Sequence, residues 1–320
     1  MNAAVLHQLG ESPRFQQFRE PEAGPDEAVL RVLAASLKPV DKQRASGSHY
    51  ASFRQLPAIC GIDGVGLMED GSRVFFAGPR PPFGAMAERT VVPRFLCWPV
   101  PPELDDLTAA ALPNPGVSAW LSLEWRANLQ PGETVLVLGA TGITGTLAVQ
   151  IAKLLGAGKV VAAGRNLEAL RTMPSFGADA TIALGQPAGA LKDAFLHEAK
   201  GTGYNIVLDY LWGAPTEVLL SAITATDFAP QGARTRLIQL GESAGSAITL
   251  PAAALRSSGL EIMGAGSGAM PPFDVLKDVF QRLLAGAVQK QLRIDVESVP
   301  LADVSDAWNR PSRRRLVLVP

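Results

Sequence analysis

Apolar residues follow two different rhythms along the chain, and the change falls near residue 117. Before it, short apolar runs such as Ala28-Val29-Leu30-Arg31-Val32-Leu33, Arg73-Val74-Phe75-Phe76 and Glu88-Arg89-Thr90-Val91-Val92 are separated by proline and glycine. That pattern predicts brief strands joined by turns, with little room for long helices. After it, apolar runs alternate with amphipathic stretches. Thr134 to Leu138, Lys159 to Ala163, Ala180 to Ala183, Asn205 to Tyr210, Thr235 to Leu240 and Leu260 to Gly264 read as strands, with helical spacing between them. Strands alternating with helices predict βαβ units on a parallel sheet buried on both faces, a doubly wound α/β domain. The remaining tail is read as a helix over Asp274 to Ala285, a strand over Val296 to Val299, a short helix around Ala302 to Trp308 and a last strand over Leu316 to Val319. It is too small to fold alone and is expected to dock onto the N-terminal unit. No internal repeat or low-complexity tract is present.

Composition narrows the function classes. A chain of 320 residues with 47% hydrophobic content suits two domains of ordinary size. A formal net charge of −1 gives no broad attraction to nucleic acid or to an acidic membrane, so a small-molecule task is favoured. Cys60 and Cys97 are the only cysteines, too few for a disulfide framework or a multi-thiolate zinc site, and are read as small buried residues. Neither a signal-type N-terminus nor a run of about 18 apolar residues occurs, so the expected protein is cytoplasmic and soluble.

The sharpest local motif is Gly139-Ala140-Thr141-Gly142-Ile143-Thr144-Gly145, directly behind the apolar run Thr134 to Leu138. Its G-x-x-G-x-x-G spacing is weak alone. Ile143, Leu147, Ala148, Ile151, Leu154 and Leu155 then follow at helical spacing, with Gly156 as the stop. A strand, a glycine turn and a helix start together aim free N–H groups and the positive end of the helix at a pyrophosphate. The competing reading is a tight turn with no ligand. An NAD site normally carries Asp or Glu at the end of the next strand; this chain has Gly164-Arg165-Asn166 and no acidic residue from 159 to 167. A guanidinium there suits a 2′-phosphate, which favours NADPH over NADH. The plainer alternatives are an exposed helix-start arginine and an asparagine N-cap.

The chain resembles the medium-chain dehydrogenase/reductase superfamily, in its zinc-free quinone oxidoreductase (zeta-crystallin-like) branch. The likeness is carried by Ala3-Ala4-Val5-Leu6, Pro39-Val40-Asp41, Gly61-Ile62-Asp63-Gly64-Val65-Gly66, Gly84-Ala85-Met86-Ala87-Glu88 and Ala109-Ala110-Ala111-Leu112. It continues through Pro131-Gly132-Glu133-Thr134-Val135-Leu136-Val137, the glycine loop, Phe176-Gly177-Ala178-Asp179 and Val207-Leu208-Asp209. The resemblance implies a Rossmann NADPH-binding domain, 117–267, inserted into a β-rich GroES-like substrate domain made of 1–116 and 268–320, with a cleft where hydride passes. It also implies a homodimer. At the positions of the catalytic zinc ligands in related alcohol dehydrogenases stand Asp41, Ile62 with Asp63, and Asn114. That set lacks the nitrogen and sulfur donors zinc prefers, so no metal is expected.

Without such a Lewis acid, alcohol oxidation gives way to reduction of an activated, electrophilic small-molecule acceptor. The expected activity is NADPH-dependent hydride transfer to a quinone or an α,β-unsaturated carbonyl. The alternative is an NADPH-binding sensor, structural or RNA-binding protein of zeta-crystallin type without significant turnover; the chain shows no clear basic and aromatic patch for RNA.

Three residues are catalytic candidates. By the resemblance Tyr50 lines the active site and can bind or protonate the carbonyl oxygen, though it equally reads as a half-buried loop tyrosine. Asp41 and Lys42 orient the nicotinamide ribose, contact substrate or pair with each other, with cofactor contact expected for at least one. Asn114 lies in Pro113-Asn114-Pro115-Gly116, read either as a carboxamide contact at the domain crossing or as an ordinary turn asparagine, with Ser118 a weaker companion. His49 is a lesser proton-donor candidate. Further cofactor contacts are expected from Leu240 and Gly241, from Gly264, Ala265 and Gly266, and from Arg310, whereas Arg313-Arg314-Arg315 is read as a solvated charge run.

Overall fold

The computed structural model describes residues 1–201, 203–224, 234–266 and 270–320. The chain divides into two compact units, one of residues 1–114 and 284–320, the other of residues 115–283. The division at 283/284 falls inside a helix, whereas the expected boundary at 267/268 lies outside the described residues.

The first unit contains β1 (Asn2–Leu6), β2 (Arg14–Gln17), β3 (Glu27–Ser36), α1 (Pro39–Ser46), β4 (Ala58–Ile59), β5 (Asp63–Leu67), β6 (Arg73–Ala77), β7 (Arg89–Pro93), β8 (Cys97–Pro99) and α2 (Asp106–Ala111). β2-β1-β4 form one small antiparallel sheet. The larger sheet runs β15-β16-β3-β5-β6-β8, with β7 paired to β3; β15 (Val296–Pro300) and β16 (Arg315–Val319) come from the chain's far end. The tail docks by backbone pairing: Val317 and Leu318 of β16 lie opposite Ser36 and Ala35 of β3. Leu30, Val32, Phe76, Val92, Trp308, Leu316 and Leu318 share this unit's main core.

α1 is an element the apolar pattern does not announce, because the stretch is polar. Its signals are local instead. Pro39 opens it with a preset φ, Asp41 in the first turn accepts from the Lys38 N–H at 2.9 Å, and Gly47 closes it in the left-handed region at φ +84°.

The chain passes into the second unit within α3 (Pro113–Leu121), which runs on into a π-helical turn over Ser122–Arg126. Pro113-Asn114-Pro115-Gly116 is therefore the first turn of a helix and not the ordinary turn that was one of its two readings; proline is tolerated there because the N–H it lacks has no intrahelical partner. Then come β9 (Thr134–Leu138), α4 (Ile143–Leu154), β10 (Lys159–Gly164), α5 (Leu167–Thr172), β11 (Ala180–Ala183), α6 (Ala188–Glu198), β12 (Ile206–Asp209), α7 (Gly213–Ile223), β13 (Arg234–Gln239), α8 (Ala252–Arg256), β14 (Gly259–Gly264) and α9 (Phe273–Val288); α10 (Val304–Asn309) precedes β16.

Their sheet is parallel, in the order β11-β10-β9-β12-β13-β14. All five residues of β9 are buried, which is what a continuous apolar run needs in a sheet covered on both faces. β9 and β12 are neighbours, and the strand order leaves them in opposite directions. Their carboxyl ends mark the switch point at which doubly wound sheets open a crevice for ligand.

Candidate active site

The turn after β9 is built by bonds to the neighbouring strand. The N–H groups of Gly139 and Ala140 both donate to the Ala163 carbonyl, at 2.9 and 3.0 Å, and the Gly142 N–H donates to the Gly139 carbonyl at 3.1 Å. The Thr146 hydroxyl donates to the Ala140 carbonyl at 3.0 Å. Three glycines here are required by the chain itself. Gly139 sits at φ +91°; a Cβ on Gly145 would lie 2.2 Å from the Gly139 carbonyl oxygen; one on Gly164 would lie 2.5 Å from the Thr141 side chain.

Gly142 is different. Its φ of −86° suits any residue, it is exposed, and the nearest atom to an added Cβ is the Gly139 carbonyl oxygen at 3.4 Å. Nothing among the described residues demands glycine there. It caps α4 without any side-chain hydrogen bond, so the first-turn N–H groups, Ile143 and Thr144 among them, have no intrahelical acceptor. A bare backbone above an uncapped helix start is the arrangement a pyrophosphate fits, and the residues present fit a dinucleotide.

At the end of β10, Gly164 is buried and Arg165 is exposed. Asn166 caps α5, its side-chain oxygen accepting from the Ala169 N–H at 3.1 Å, so the plainer of its two readings describes that oxygen. On the other side of the switch point, the buried Asp209 carboxylate accepts from the N–H groups of Leu211 and Trp212 at 2.8 and 2.9 Å and from the Thr216 hydroxyl at 2.6 Å. Burial pushes its pKa up and these three donors pull it back. Leu240 and Gly241 donate to the Asp209 carbonyl at 2.8 and 3.2 Å, and a Cβ on Gly241 would meet the Tyr210 carbonyl oxygen at 2.8 Å, so Gly241 lets two strand-end turns approach. At the end of β14, Ala265 donates to the Gln239 carbonyl at 2.9 Å, the Gly264 carbonyl accepts from Arg126 at 3.0 Å, and Gly264 and Gly266 are exposed. The second unit thus gathers the glycine loop, Gly164 to Asn166, Leu240 and Gly241, and Gly264 to Gly266 at the carboxyl ends of one sheet.

In the first unit Tyr50 is 74% exposed, its ring 4.0 Å from that of His49, centroid to centroid. The half-buried reading of Tyr50 does not hold. Lys42 is half-buried, and burial lowers its pKa. Asp41 lies deeper than Lys42. It is only 2% exposed, and its carboxylate serves Lys38, through the backbone N–H at 2.9 Å and the ammonium at 3.5 Å. Through Oδ2 it ties down the start of α1, while its Oδ1 is buried with no hydrogen-bond partner, and no ion pair with Lys42 occurs among the described residues.

Lys38, which sequence reading passed over, is 1% exposed and centres a buried network. Its Nζ donates to Asp63 at 2.7 Å and to the Ser36 carbonyl and hydroxyl at 2.7 and 3.1 Å. Burial raises the Asp63 pKa against the pull of Lys38. Arg315, assigned to a solvated charge run, is instead buried and donates to the Leu37 carbonyl at 3.0 Å. The only hint in sequence is Lys38 standing next to the apolar stretch Ala34 to Leu37.

At the positions compared with zinc ligands, an ammonium therefore stands between the Asp41 and Asp63 carboxylates, and Ile62 offers no donor atom. Asn114, half-buried, lies in the first turn of α3; the Ser118 carbonyl accepts from the Ser122 hydroxyl at 2.7 Å. Arg310 is exposed and paired with Glu297 at 2.6 Å.

A six-stranded parallel sheet in this order, with a glycine turn and an uncapped helix start at its switch point, defines the class of dinucleotide-binding α/β proteins. Comparison with known proteins narrows that class. Residues 144–271 match the family described as zinc-binding dehydrogenase, a stretch containing none of positions 41, 62, 63 and 114. Quinone oxidoreductase-like protein 2 of Bos taurus is 30% identical over 325 residues, covering 98% of this chain and 89% of that protein. The NADPH-dependent alkenal/one oxidoreductase of Arabidopsis thaliana chloroplasts is 32% identical over 179 residues, covering 51% of this chain and 46% of its own length. Among solved structures, the quinone oxidoreductase of Thermus thermophilus, known also in complex with NADPH, is 28% identical with a TM-score of 0.80 and full coverage of both chains. The chain belongs to the medium-chain dehydrogenase/reductase superfamily, in its quinone oxidoreductase branch.

Proposed function

We propose that this protein is an NADPH-dependent reductase that transfers hydride to a quinone or an α,β-unsaturated carbonyl without zinc. The observation that carries the reading is Gly142, the one glycine of its loop that the fold does not need, at the uncapped start of α4. The names of the relatives agree with it.

Bound NADPH supplies the hydride. The chain supplies position and charge. First-turn N–H groups of α4, with Gly139 to Gly145, would hold the pyrophosphate; Arg165 beside Gly164 would hold the 2′-phosphate. Leu240, Gly241, Gly264, Ala265 and Gly266, with Ser118, Lys42 and Arg310, are proposed for the remainder of the cofactor. Tyr50 and Asn114 are proposed to meet the acceptor, the phenol stabilising the oxygen as it gains negative charge. Asp41 is proposed as a positioning residue. A GroES-like substrate domain of 1–116 and 268–320 around a Rossmann domain of 117–267 is the division this reading uses.

Zinc independence is supported by the Lys38 ammonium between the Asp41 and Asp63 carboxylates, which occupies them electrostatically. A homodimer is proposed, with β14, the edge strand of the six-stranded sheet, as the surface that would meet a second copy. A reducing, cytoplasmic setting suits the two free cysteines. Oxidation of NADPH and of NADH is to be followed with quinones, enones and enals. The expected result is turnover of at least one acceptor with NADPH preferred; no turnover with any acceptor, or a preference for NADH, overturns the proposal.

A further inference from the structure

Residues 47–57, between α1 and β4, form neither helix nor strand and are mostly exposed. Such a segment has no ladder of backbone bonds to fix where its side chains point, so the local bonds it does make carry that task. Tyr50 stands in its middle, its ring against that of His49.

The residues that follow Tyr50 are knit into a small knot. The Ala51 N–H donates to His49 Nδ1 at 3.0 Å, and the N–H and hydroxyl of Ser52 both donate to the His49 carbonyl, at 3.0 and 2.6 Å. These bonds join residues 49, 51 and 52 to one another. Arg44, half-buried in the last turn of α1, joins the knot to a helix. Its Nε donates to the Ala51 carbonyl at 2.8 Å, and its guanidinium carbon lies 4.9 Å from the centre of the Phe53 ring. Phe53 in turn packs against the first unit's main core. A planar guanidinium suits both tasks, since its face stacks on an aromatic ring while its edge donates to a carbonyl.

The effect on Tyr50 follows from which peptide groups are held. The peptide between Tyr50 and Ala51 is oriented by His49, and the peptide between Ala51 and Ser52 by Arg44. The backbone on the C-terminal side of Tyr50 is thereby fixed. The base of the grip is firm as well. α1 is held at its start by the Lys38 and Asp41 bonds and near its end by Ala45, which lies in the main core and whose carbonyl accepts from the Gly10 N–H at 2.9 Å.

We propose that Arg44 is a positioning residue: by gripping the Ala51 carbonyl and the Phe53 ring it fixes the backbone beside Tyr50 and so aims the phenol at the acceptor oxygen. The inference rests on the reading above in which Tyr50 stabilises that oxygen as hydride arrives. Aim matters at that step because a donor serves a developing oxyanion at about 2.7–3.1 Å, and a misplacement of about 1 Å costs on the order of 100-fold in rate. Arg44 touches none of the reacting atoms in this scheme; it acts through Tyr50.

The test is a double-mutant cycle of Arg44→Met and Tyr50→Phe, assayed with NADPH and either 1,4-naphthoquinone or 3-penten-2-one, together with NADPH binding and thermal melting. Arg44→Met is expected to lower kcat by about tenfold or more, with the acceptor KM within about twofold of wild type. NADPH affinity and melting temperature should stay as in wild type. Tyr50→Phe should lower kcat at least as far, and adding Arg44→Met to it should lower kcat no further, since the residue being aimed has lost its hydroxyl. Wild-type kcat in Arg44→Met overturns the inference, as does a further fall of the same size in the Tyr50→Phe background. Weaker NADPH binding or a lower melting temperature in Arg44→Met shows a general structural role and also overturns it. Wild-type kcat in Tyr50→Phe removes Tyr50 from the oxygen and overturns the inference with it, while NADPH-dependent reduction stands. Wild type inactive on both acceptors overturns the inference and the proposed function together.

Discussion

The glycine loop allows one substitution to be played against another three residues away. At Gly142 an added methyl meets only the Gly139 carbonyl oxygen at 3.4 Å, and the φ of −86° admits alanine without strain. Alanine reduces the freedom of the unfolded chain, worth about 0.4–1 kcal/mol, and is a poorer N-cap than glycine by a similar amount. Gly142→Ala should therefore leave stability within about 1 kcal/mol and Tm within about 3 °C of wild type. At Gly145 the methyl would stand 2.2 Å from the Gly139 carbonyl oxygen and 2.7 Å from the Ala140 Cα, both backbone atoms. Relief needs the loop to move by more than about 1 Å, and overpacking of that severity costs about 3 kcal/mol or more, a fall in Tm on the order of 5 °C or greater.

Binding should separate the two from the other direction. In the proposed binding mode a methyl at Gly142 would stand where the pyrophosphate meets the α4 N–H groups, and losing one hydrogen bond to a charged phosphate weakens NADPH by roughly 10- to 100-fold. The assay is paired: NADPH titration by fluorescence and thermal melting without ligand, on both variants. Gly142→Ala with wild-type NADPH affinity would refute the reasoning, because glycine at 142 would then serve nothing. So would a Gly142→Ala protein that melts as low as Gly145→Ala.

Arg165→Ala is expected to weaken NADPH by roughly 10- to 100-fold and NADH hardly at all, read from the two dissociation constants; equal losses remove Arg165 from the 2′-phosphate. Lys38→Met leaves Asp63 buried beside no ammonium and should destabilise by about 3–5 kcal/mol, whereas Lys38→Met with Asp63→Leu should recover much of that in urea melts. A single mutant as stable as wild type would sink the idea that the network is a clamp. Hydrogen bonds from Arg282 hold the Glu124 pKa below its ordinary value. A depressed folded-state pKa stabilises above the unfolded value and fades as pH falls, so the Tm gap between wild type and Glu124→Gln should shrink from pH 6 to pH 4. A gap independent of pH would contradict this.

Much of the second unit could be read from the chain because its signals are local. Thr134 to Leu138 is apolar throughout, Ile143 to Leu154 has helical spacing and Gly156 ends it at φ +91°, so each element announces itself within a dozen residues. Two kinds of feature did not. Residues 113–116 look like a turn by composition, and only the N–H bookkeeping of a helix start makes them helical. Arg315 looks like a surface charge, and its burial goes with a partner far along the chain, the Leu37 carbonyl.

The sequence by itself determined the kind of protein: the alternation of strand and helix, the glycine turn at a strand end, and the exchange of an acidic residue for Arg165. Each follows from residue type and short spacing, which act within one or two turns of backbone. Only the tertiary structure decided which glycine is spare and that Lys38 stands between Asp41 and Asp63. Those facts concern the space around a side chain. Strand pairing and core packing create that space by bringing distant residues together, and no local pattern records it.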